Sequence, residues 1–256
     1  MRATFFLTSA LAASVSAAPA FPNFVPNVAD NVRALANYFN LLASKTQAGR
    51  FTSPPVCDLN RVSLPAAASK LPSPSPGLKL KHIAIGRGTQ NYTCDPSAPS
   101  EAPSAFGAVA TLFDASCLVA TQPDVAAALG RAALYFALAQ SEAEGRLVPA
   151  ATVAAAARSG LHYFSDPTTP FFGVGRVGDF FGKKDAAAPA PAGAFKGLQG
   201  EGAVPWLKLV AKQPGAGSLQ EVYRVETVGG SAPATCEGMP ESFTVEYATQ
   251  YWFYGK

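Results

Sequence analysis

The chain is poor in charged residues and has no cluster of basic ones. Only 14% of its 256 residues are Asp, Glu, Lys or Arg, whereas such residues make up about 25% of an ordinary soluble domain. The formal net charge is +3, and the 20 Lys and Arg are spread along the chain. A nucleic-acid-binding protein concentrates these residues on one face, so we expect no nucleic-acid partner.

The chain also lacks the spacings of common metal, cofactor and catalytic motifs. Its two histidines, His82 and His162, lie far apart, and no CxxC, HxxxH or GxSxG motif is present, so we expect no metal site. Residues 173–178 match GxGxxG, but a dinucleotide-binding loop must follow a strand and open a helix. An Ala/Pro-rich stretch follows shortly after, so we interpret the motif as a turn between strands and expect no cofactor.

Only one long apolar run is present, and it lies at the N-terminus. Arg2 precedes an apolar stretch at residues 3–15, and Val15-Ser16-Ala17 fits the small-x-small pattern of a cleavage site. The run is shorter than the roughly 20 residues that span a bilayer. The sequence therefore predicts a cleavable signal peptide at residues 1–17, a secreted extracellular protein, and no membrane attachment after cleavage.

The rest of the chain divides into a short N-terminal part and one larger domain. Residues 28–47 place apolar side chains at helical spacing, which predicts an amphipathic helix. Residues 51–77 are rich in Pro and Gly and predict an extended strap. We therefore assign residues 18–56 to an N-terminal amphipathic helix and strap, and residues 57–256 to a single β-rich domain.

Four cysteines predict two disulfides in a secreted chain. Four cysteines can pair in three ways, and the sequence does not separate these pairings. We expect Cys94–Cys117, which closes a short local loop, and Cys57–Cys236, which ties the start of the fold to its end.

Short alternating or β-branched runs between Gly/Pro-rich turns predict a mainly β fold. Ala-rich stretches at residues 123–144 and 150–158 predict helices, and residues 185–202 predict a loop. Strands and helices do not alternate as a parallel α/β fold requires. We therefore predict an antiparallel β-sandwich or barrel-like domain with peripheral α-helices. The predicted strands are residues 78–85, 105–113, 161–164, 206–211, 221–227 and 243–254.

The last predicted strand is rich in aromatic residues. Tyr247, Tyr251 and Phe253 share one face, and Trp252 and Tyr254 share the other, by the period of two in a strand. Large aromatic side chains dominate burial in β domains, so we expect both faces to belong to the core. An exposed face would instead form a platform on which sugar rings stack.

Residues 83–94, IAIGRGTQNYTC, resemble the signature of a family of secreted, mostly fungal proteins known as domain of unknown function 3455. Further matching stretches occur in the family's order within residues 108–117, 160–172, 222–236 and 251–254. The resemblance covers roughly residues 57–254. It implies no established activity. Family members are often labelled malate dehydrogenase-like, but this chain has no cofactor fingerprint in its proper context.

The first of these stretches also contains the best candidates for a ligand site. Gly86 and Gly88 permit a bend or bulge in a strand, and the polar side chains beside them have no evident structural role. We predict that a ligand site is lined by Arg87, Thr89, Gln90, Tyr92, His162 and Tyr163. Arg87, Gln90 and His162 should then converge on one concave pocket.

Asn91-Tyr92-Thr93 is the only N-glycosylation sequon in the chain. It makes Asn91 a candidate glycosylation site. The alternative is that Asn91 and Thr93 form hydrogen bonds within the strand.

Two functions are compatible with these features. The first is a non-enzymatic secreted protein that acts at the cell wall or host interface and binds a carbohydrate or another small polar ligand. The alternative is an extracellular hydrolase, or an accessory enzyme of secondary metabolism, that uses His162 with a neighbouring carboxylate as acid and base. The candidate carboxylates are Asp114, Asp166, Asp179 and Glu246. The sequence leaves the oligomeric state open.

Overall fold

The computed structural model describes residues 57–121, 123–134, 158–213 and 219–256. The predicted signal peptide and the predicted helix at residues 28–47 lie outside the described residues. So do residues 135–157, which hold the end of one Ala-rich stretch and nearly all of the other.

Eight antiparallel strands form a closed barrel in which each strand pairs with the next along the chain and β8 pairs with β1. This topology confirms the predicted mainly β class and selects the barrel over the sandwich. We call the end of the barrel at which β1 begins the upper end, and the end at which β1 finishes the lower end. The strands are β1 Lys79–Thr93, β2 Ser104–Asp114, β3 Arg158–Asp166, β4 Thr169–Val174, β5 Gly178–Ala188, β6 Trp206–Ala211, β7 Leu219–Gly229 and β8 Ser242–Gly255.

Two strands, β4 and β5, were not predicted from the sequence. Gly173 and Gly182 interrupt them, and Lys183-Lys184-Asp185 breaks the apolar alternation of β5. The GxGxxG motif spans the end of β4, a tight turn in which Val177 N donates to Val174 O at 2.8 Å, and the start of β5. The prediction that this motif is a turn between strands is therefore confirmed.

The described helices are short and pack on the outside of the barrel. α1 is Ser116–Thr121 and α2 is Pro123–Ala133. Pro123 occupies the first helical turn, where its missing N–H costs nothing. Two further turns of 3-10 helix, Leu59–Arg61 and Ala66–Lys70, lie in the described part of the predicted strap, residues 57–77, which we call the strap from here on. Within the described ranges, no helix is both long and apolar enough to cross a membrane.

The barrel wall separates two apolar layers. The inner layer contains Phe172, Phe180, Tyr247, Tyr251 and Phe253. The outer layer joins the wall to α1, α2 and the strap and contains Ile83, Ile85, Tyr223, Trp252 and Tyr254. Both faces of β8 are thus buried, which confirms that its aromatic residues belong to the core.

Gly86 and Gly88 allow the neighbouring strands to pack closely against β1, and neither glycine lies at a bulge. A Cβ on Gly86 would lie 2.6 Å from the Tyr251 ring, and a Cβ on Gly88 would overlap the carbonyl oxygen of Val109 on β2. The register shifts of β1 occur elsewhere, between Leu80 and His82 and between Asn91 and Tyr92. The expected bulge at these glycines was therefore wrong, and contacts with the neighbouring strands β2 and β8 exclude a bulky residue there.

The predicted disulfide pairing was also wrong. The structure pairs Cys57 with Cys117 and Cys94 with Cys236, with Cα–Cα distances of 5.2 and 5.6 Å. Cys94 follows β1 at the lower end, whereas Cys117 follows β2 at the upper end. The 11 residues of β2 separate them by roughly 35 Å of chain at about 3.3 Å per residue. The loop between β7 and β8 also lies at the lower end, so Cys236 is the partner within reach of Cys94.

Candidate functional site

β1 carries four of the six predicted ligand residues, and its alternation sends them to two sides of the barrel wall. Gln90 and Tyr92 face the interior, whereas Arg87 and Thr89 face outward. His162 on β3 faces the interior. The structure therefore does not bring Arg87, Gln90 and His162 together in one pocket.

Arg87 attaches α2 to the barrel. Its guanidinium pairs with the Glu246 carboxylate and donates to the carbonyl oxygens of Ala133 at 2.8 Å and Leu134 at 3.2 Å. A cation at these carbonyls satisfies the acceptors that a helix leaves free at its C-terminus. These contacts give the buried Arg87 a structural role.

His162 is packed among aromatic rings. Its Nδ1 lies 2.8 Å from the carbonyl oxygen of Phe171, and its ring stacks on Phe172 with centroids 4.0 Å apart. Burial strips water from the ring and lowers the pKa of His162 to about 3, because the charged form loses its hydration. The imidazole is therefore neutral at physiological pH, with the Nδ1 proton donated to Phe171.

The carboxylates proposed as partners of His162 lie elsewhere. Glu246 pairs with Arg87 on the outer face. Asp166 accepts bonds from the threonines of the β3–β4 turn, chiefly Thr169, which lower the pKa of its carboxyl to about 2. In the described part of the chain, His162 forms no hydrogen bond or ion pair with any of the four candidates, so the geometry gives no support to acid–base chemistry at this histidine.

The polar groups inside the lower half of the barrel bond to one another and to backbone carbonyl oxygens. Arg224 donates to Gln90 Oε1 at 3.3 Å, and the hydroxyls of Tyr247 and Tyr251 are 2.8 Å apart. Tyr92 donates to a backbone carbonyl just beyond β7 at 2.7 Å. Gln90 and Tyr92 are thus part of a packed polar core.

Tyr163 belongs to a row of aromatic rings on the outer face. Its ring lies 4.8 Å from that of Phe171, which in turn lies 4.7 Å from that of Phe181. Phe181 is 51% exposed. The row runs across β3, β4 and β5, away from the other predicted ligand residues.

Asn91 is buried on the outer face of β1. Its side-chain oxygen accepts a hydrogen bond of 3.1 Å from the Thr89 hydroxyl. This contact supports the alternative that the sequon residues bond within the strand. Glycosylation of Asn91 stays a prediction.

A concave site occurs where the sequence did not predict one, between α2, the segment that links β5 to β6, and β7. Two cavities of ≈ 200 and ≈ 290 Å³ share Phe195. We call them together the α2 groove. Its named side chains are Arg131 on α2, Phe195 and Lys196 in the linking segment, Trp206 at the start of β6, and Glu226 on β7.

Glu226 is the most unusual residue of the α2 groove. Its φ is 50°, the only positive φ of a non-glycine residue in the described ranges, and it lies at a register shift of β7 between Val225 and Val228. A left-handed backbone is strained for such a residue, and such strain concentrates at functional sites. Burial raises the pKa of the Glu226 carboxyl, and no cation in the described residues pairs with it.

Two aromatic side chains, Phe195 and Trp206, also line the α2 groove. Phe195 is 42% exposed, and the Arg131 guanidinium lies 4.7 Å from its ring centroid. Trp206 is buried, and its indole N–H has no hydrogen-bond acceptor among the residues that the structure describes. A groove with an exposed ring, a guanidinium and an unpaired carboxyl can stack a ligand ring and bond to its hydroxyl groups.

The sequence does not indicate this site, because the features that define it are not local sequence patterns. Residues 185–202 are predicted as a loop, although the structure places residues 185–188 in β5. Glu226 follows the alternation of an ordinary strand. The positive φ of Glu226 and the approach of α2 to the β5–β6 segment are visible only in three dimensions. No pattern in the sequence marks either feature.

A family model described as a protein of unknown function, DUF3455, matches residues 74–255. No curated protein and no solved structure gives a significant match. The family match spans every strand of the barrel, and the chain therefore belongs to the DUF3455 family of proteins of unknown function.

Proposed function

We propose that the protein is secreted and binds a carbohydrate in the α2 groove. The apolar N-terminal run followed by Val15-Ser16-Ala17 supports export. The two disulfides support an extracellular location, because such bonds persist in oxidising compartments. A cell-wall or host-interface role follows from export together with sugar binding.

One observation carries the proposal: an exposed ring and an unpaired carboxyl line the same concave site. The apolar face of a pyranose ring stacks on an aromatic ring such as Phe195. Its hydroxyl groups donate to a carboxylate such as Glu226, and the guanidinium of Arg131 donates to sugar oxygens. Each cavity, of ≈ 200 and ≈ 290 Å³, is smaller than the ~300 Å³ at which small-ligand sites begin. Only the two together fall within that range, so we expect one or two sugar units to bind.

The test is titration with short oligosaccharides of glucan, chitin and mannan, followed by calorimetry and by tryptophan fluorescence. The fluorescence should respond because Trp206 lines the groove. Phe195→Ala should weaken binding about tenfold, since loss of stacking costs about 1.4 kcal/mol. Glu226→Gln keeps the shape of the side chain and should also weaken binding.

Phe181→Ala is the matched control, because Phe181 is an exposed phenylalanine on the outer face of β5, outside the groove lining. Its affinity should equal that of the wild type. The proposal would be refuted if no oligosaccharide changed the tryptophan fluorescence or produced a heat of binding. Equal affinities of the wild type and Phe195→Ala would show that sugar, if bound, is bound elsewhere.

A further inference from the structure

Four polar side chains meet at the upper end of the barrel, outside the α2 groove. They are His82 on β1, Asp114 at the end of β2, Ser116 on α1, and Ser159 at the start of β3. His82 and Ser116 are buried, Ser159 is half-buried, and Asp114 is exposed. These residues do not belong to one short sequence motif. They lie together because the end of β2 and the starts of β1 and β3 are all at the upper end of the barrel.

Hydrogen bonds place Ser159 and Ser116 on opposite sides of the His82 ring. Ser159 Oγ lies 3.1 Å from Nε2. Ser116 Oγ lies 3.2 Å from Nδ1, and Asp114 Oδ1 lies 3.8 Å from the same nitrogen. The Ser116 backbone N–H donates to Asp114 Oδ1 at 2.9 Å, which holds the carboxylate beside the ring.

These contacts favour one tautomer of His82. Ser116 Oγ accepts a hydrogen bond from Ile83 N at 3.0 Å and can donate its own proton to Ile83 O at 3.3 Å. The second lone pair of the hydroxyl oxygen then accepts the proton on His82 Nδ1. The Asp114 carboxylate favours a proton on that nearer nitrogen. Nε2 then carries the lone pair and accepts the Ser159 hydroxyl proton. Burial lowers the pKa of His82, which keeps this lone pair free at neutral pH.

We infer that Ser159 is a nucleophile activated by His82 and that the protein hydrolyses small carboxylic esters at the upper end of the barrel. Serine hydrolases activate their nucleophile with an imidazole whose other nitrogen is held by a hydrogen bond, usually to a carboxylate. Here Ser116 Oγ makes that bond at 3.2 Å, and the Asp114 carboxylate lies beside it at 3.8 Å from the same nitrogen. Ser159 and His82 are the catalytic residues. Asp114 and Ser116 are positioning residues that set the tautomer and orientation of the ring.

The reaction runs in two balanced halves. Ser159 Oγ attacks the ester carbonyl carbon while its proton passes to His82 Nε2, and the alcohol then leaves with that proton as the C–O bond breaks. Water next attacks the acyl-serine, giving a proton to Nε2. Ser159 recovers this proton as the carboxylic acid leaves.

The test treats the intact, disulfide-bonded protein with a tagged fluorophosphonate and locates the label by peptide mass spectrometry. We expect label on the peptide that contains Ser159, with loss of fluoride from the probe. Hydrolysis of p-nitrophenyl acetate should fall at least about a hundredfold in Ser159→Ala and in His82→Gln, the size of a general-base contribution.

Ser97→Ala is the matched control, because Ser97 is exposed and its hydroxyl donates to Asp95 at 2.6 Å but contacts no histidine. This variant should label and hydrolyse like the wild type. Circular dichroism establishes that each variant is folded. Absence of label from Ser159 in the wild-type protein would overturn the inference, whatever the variants do. So would an unchanged hydrolysis rate in folded Ser159→Ala.

Discussion

Replacing Lys208 by Met would leave a carboxylate buried without its cation. Lys208 Nζ lies 3.1 Å from Glu221 Oε1, and the two side chains are only 5% and 4% exposed. Both also hold the strap, since Lys208 donates to Ser73 O at 2.9 Å and Ser75 N donates to Glu221 Oε2 at 3.2 Å. The pair is therefore an internal ionic link between β6, β7 and the strap.

The expected cost follows from this burial. Removing one partner of a buried ion pair costs about 3–5 kcal/mol, and the bonds from Ser75 still stabilise the remaining Glu221 carboxylate. We therefore expect Lys208→Met to lower the free energy of unfolding by about 3 kcal/mol. For a protein of this size that corresponds to a fall in Tm of about 6–12 °C. Glu221→Gln leaves the Lys208 cation buried and should cost a similar amount.

The double variant distinguishes the free energy lost with the ion pair from the free energy lost with side-chain packing. Lys208→Met with Glu221→Gln leaves no buried charge, so its cost should be well below the sum of the two single costs. Urea unfolding of the four proteins measures this difference, and limited proteolysis reports whether the strap has loosened. The reasoning fails if each single change costs under about 1 kcal/mol, or if the two costs simply add.

Two further predictions concern Glu226 and His162. Glu226→Gly should raise the free energy of unfolding by about 1 kcal/mol, because glycine relieves the strain of a positive φ, while oligosaccharide affinity falls. Urea unfolding measures the free energy of unfolding, and titration with oligosaccharides measures the affinity. A Glu226→Gly variant less stable than the wild type would contradict the strain argument. For His162, the folded pKa of about 3 lies below the ordinary histidine pKa of 6.5, so the unfolded chain binds the extra proton. Stability should therefore fall as pH drops from 6.5 towards 3, by up to about 1.4 kcal/mol per pH unit. His162→Gln should remove this part of the slope, and an unchanged slope would refute the assignment.

The sequence predicted the parts of the fold that depend on local pattern. Alternation marked six of the eight strands, because a half-buried strand repeats every two residues whatever it pairs with. The aromatic composition of β8 predicted its burial, and the context of the GxGxxG motif predicted a turn. β4 and β5 were missed because glycines and lysines hide the alternation there, although pairing with neighbouring strands stabilises them.

The candidate sites show what a local sequence pattern does not predict, namely which residues lie in contact in the folded barrel. Gln90 and Arg87 are three residues apart, yet they lie on opposite sides of the barrel wall, because alternation within one strand separates them. His82 and Ser159 are 77 residues apart, and their contact depends on which strands start at the upper end.

By itself the sequence determined that this chain is a turn-rich, mainly β domain of the DUF3455 family with an aromatic last strand. The tertiary structure decided the disulfide pairing, the side of the wall that each residue of β1 occupies, the α2 groove and the cluster around His82. The physical reason is that hydrophobic period is a property of a few consecutive residues. Proximity across a closed barrel depends instead on strand order, register and the end at which each strand finishes.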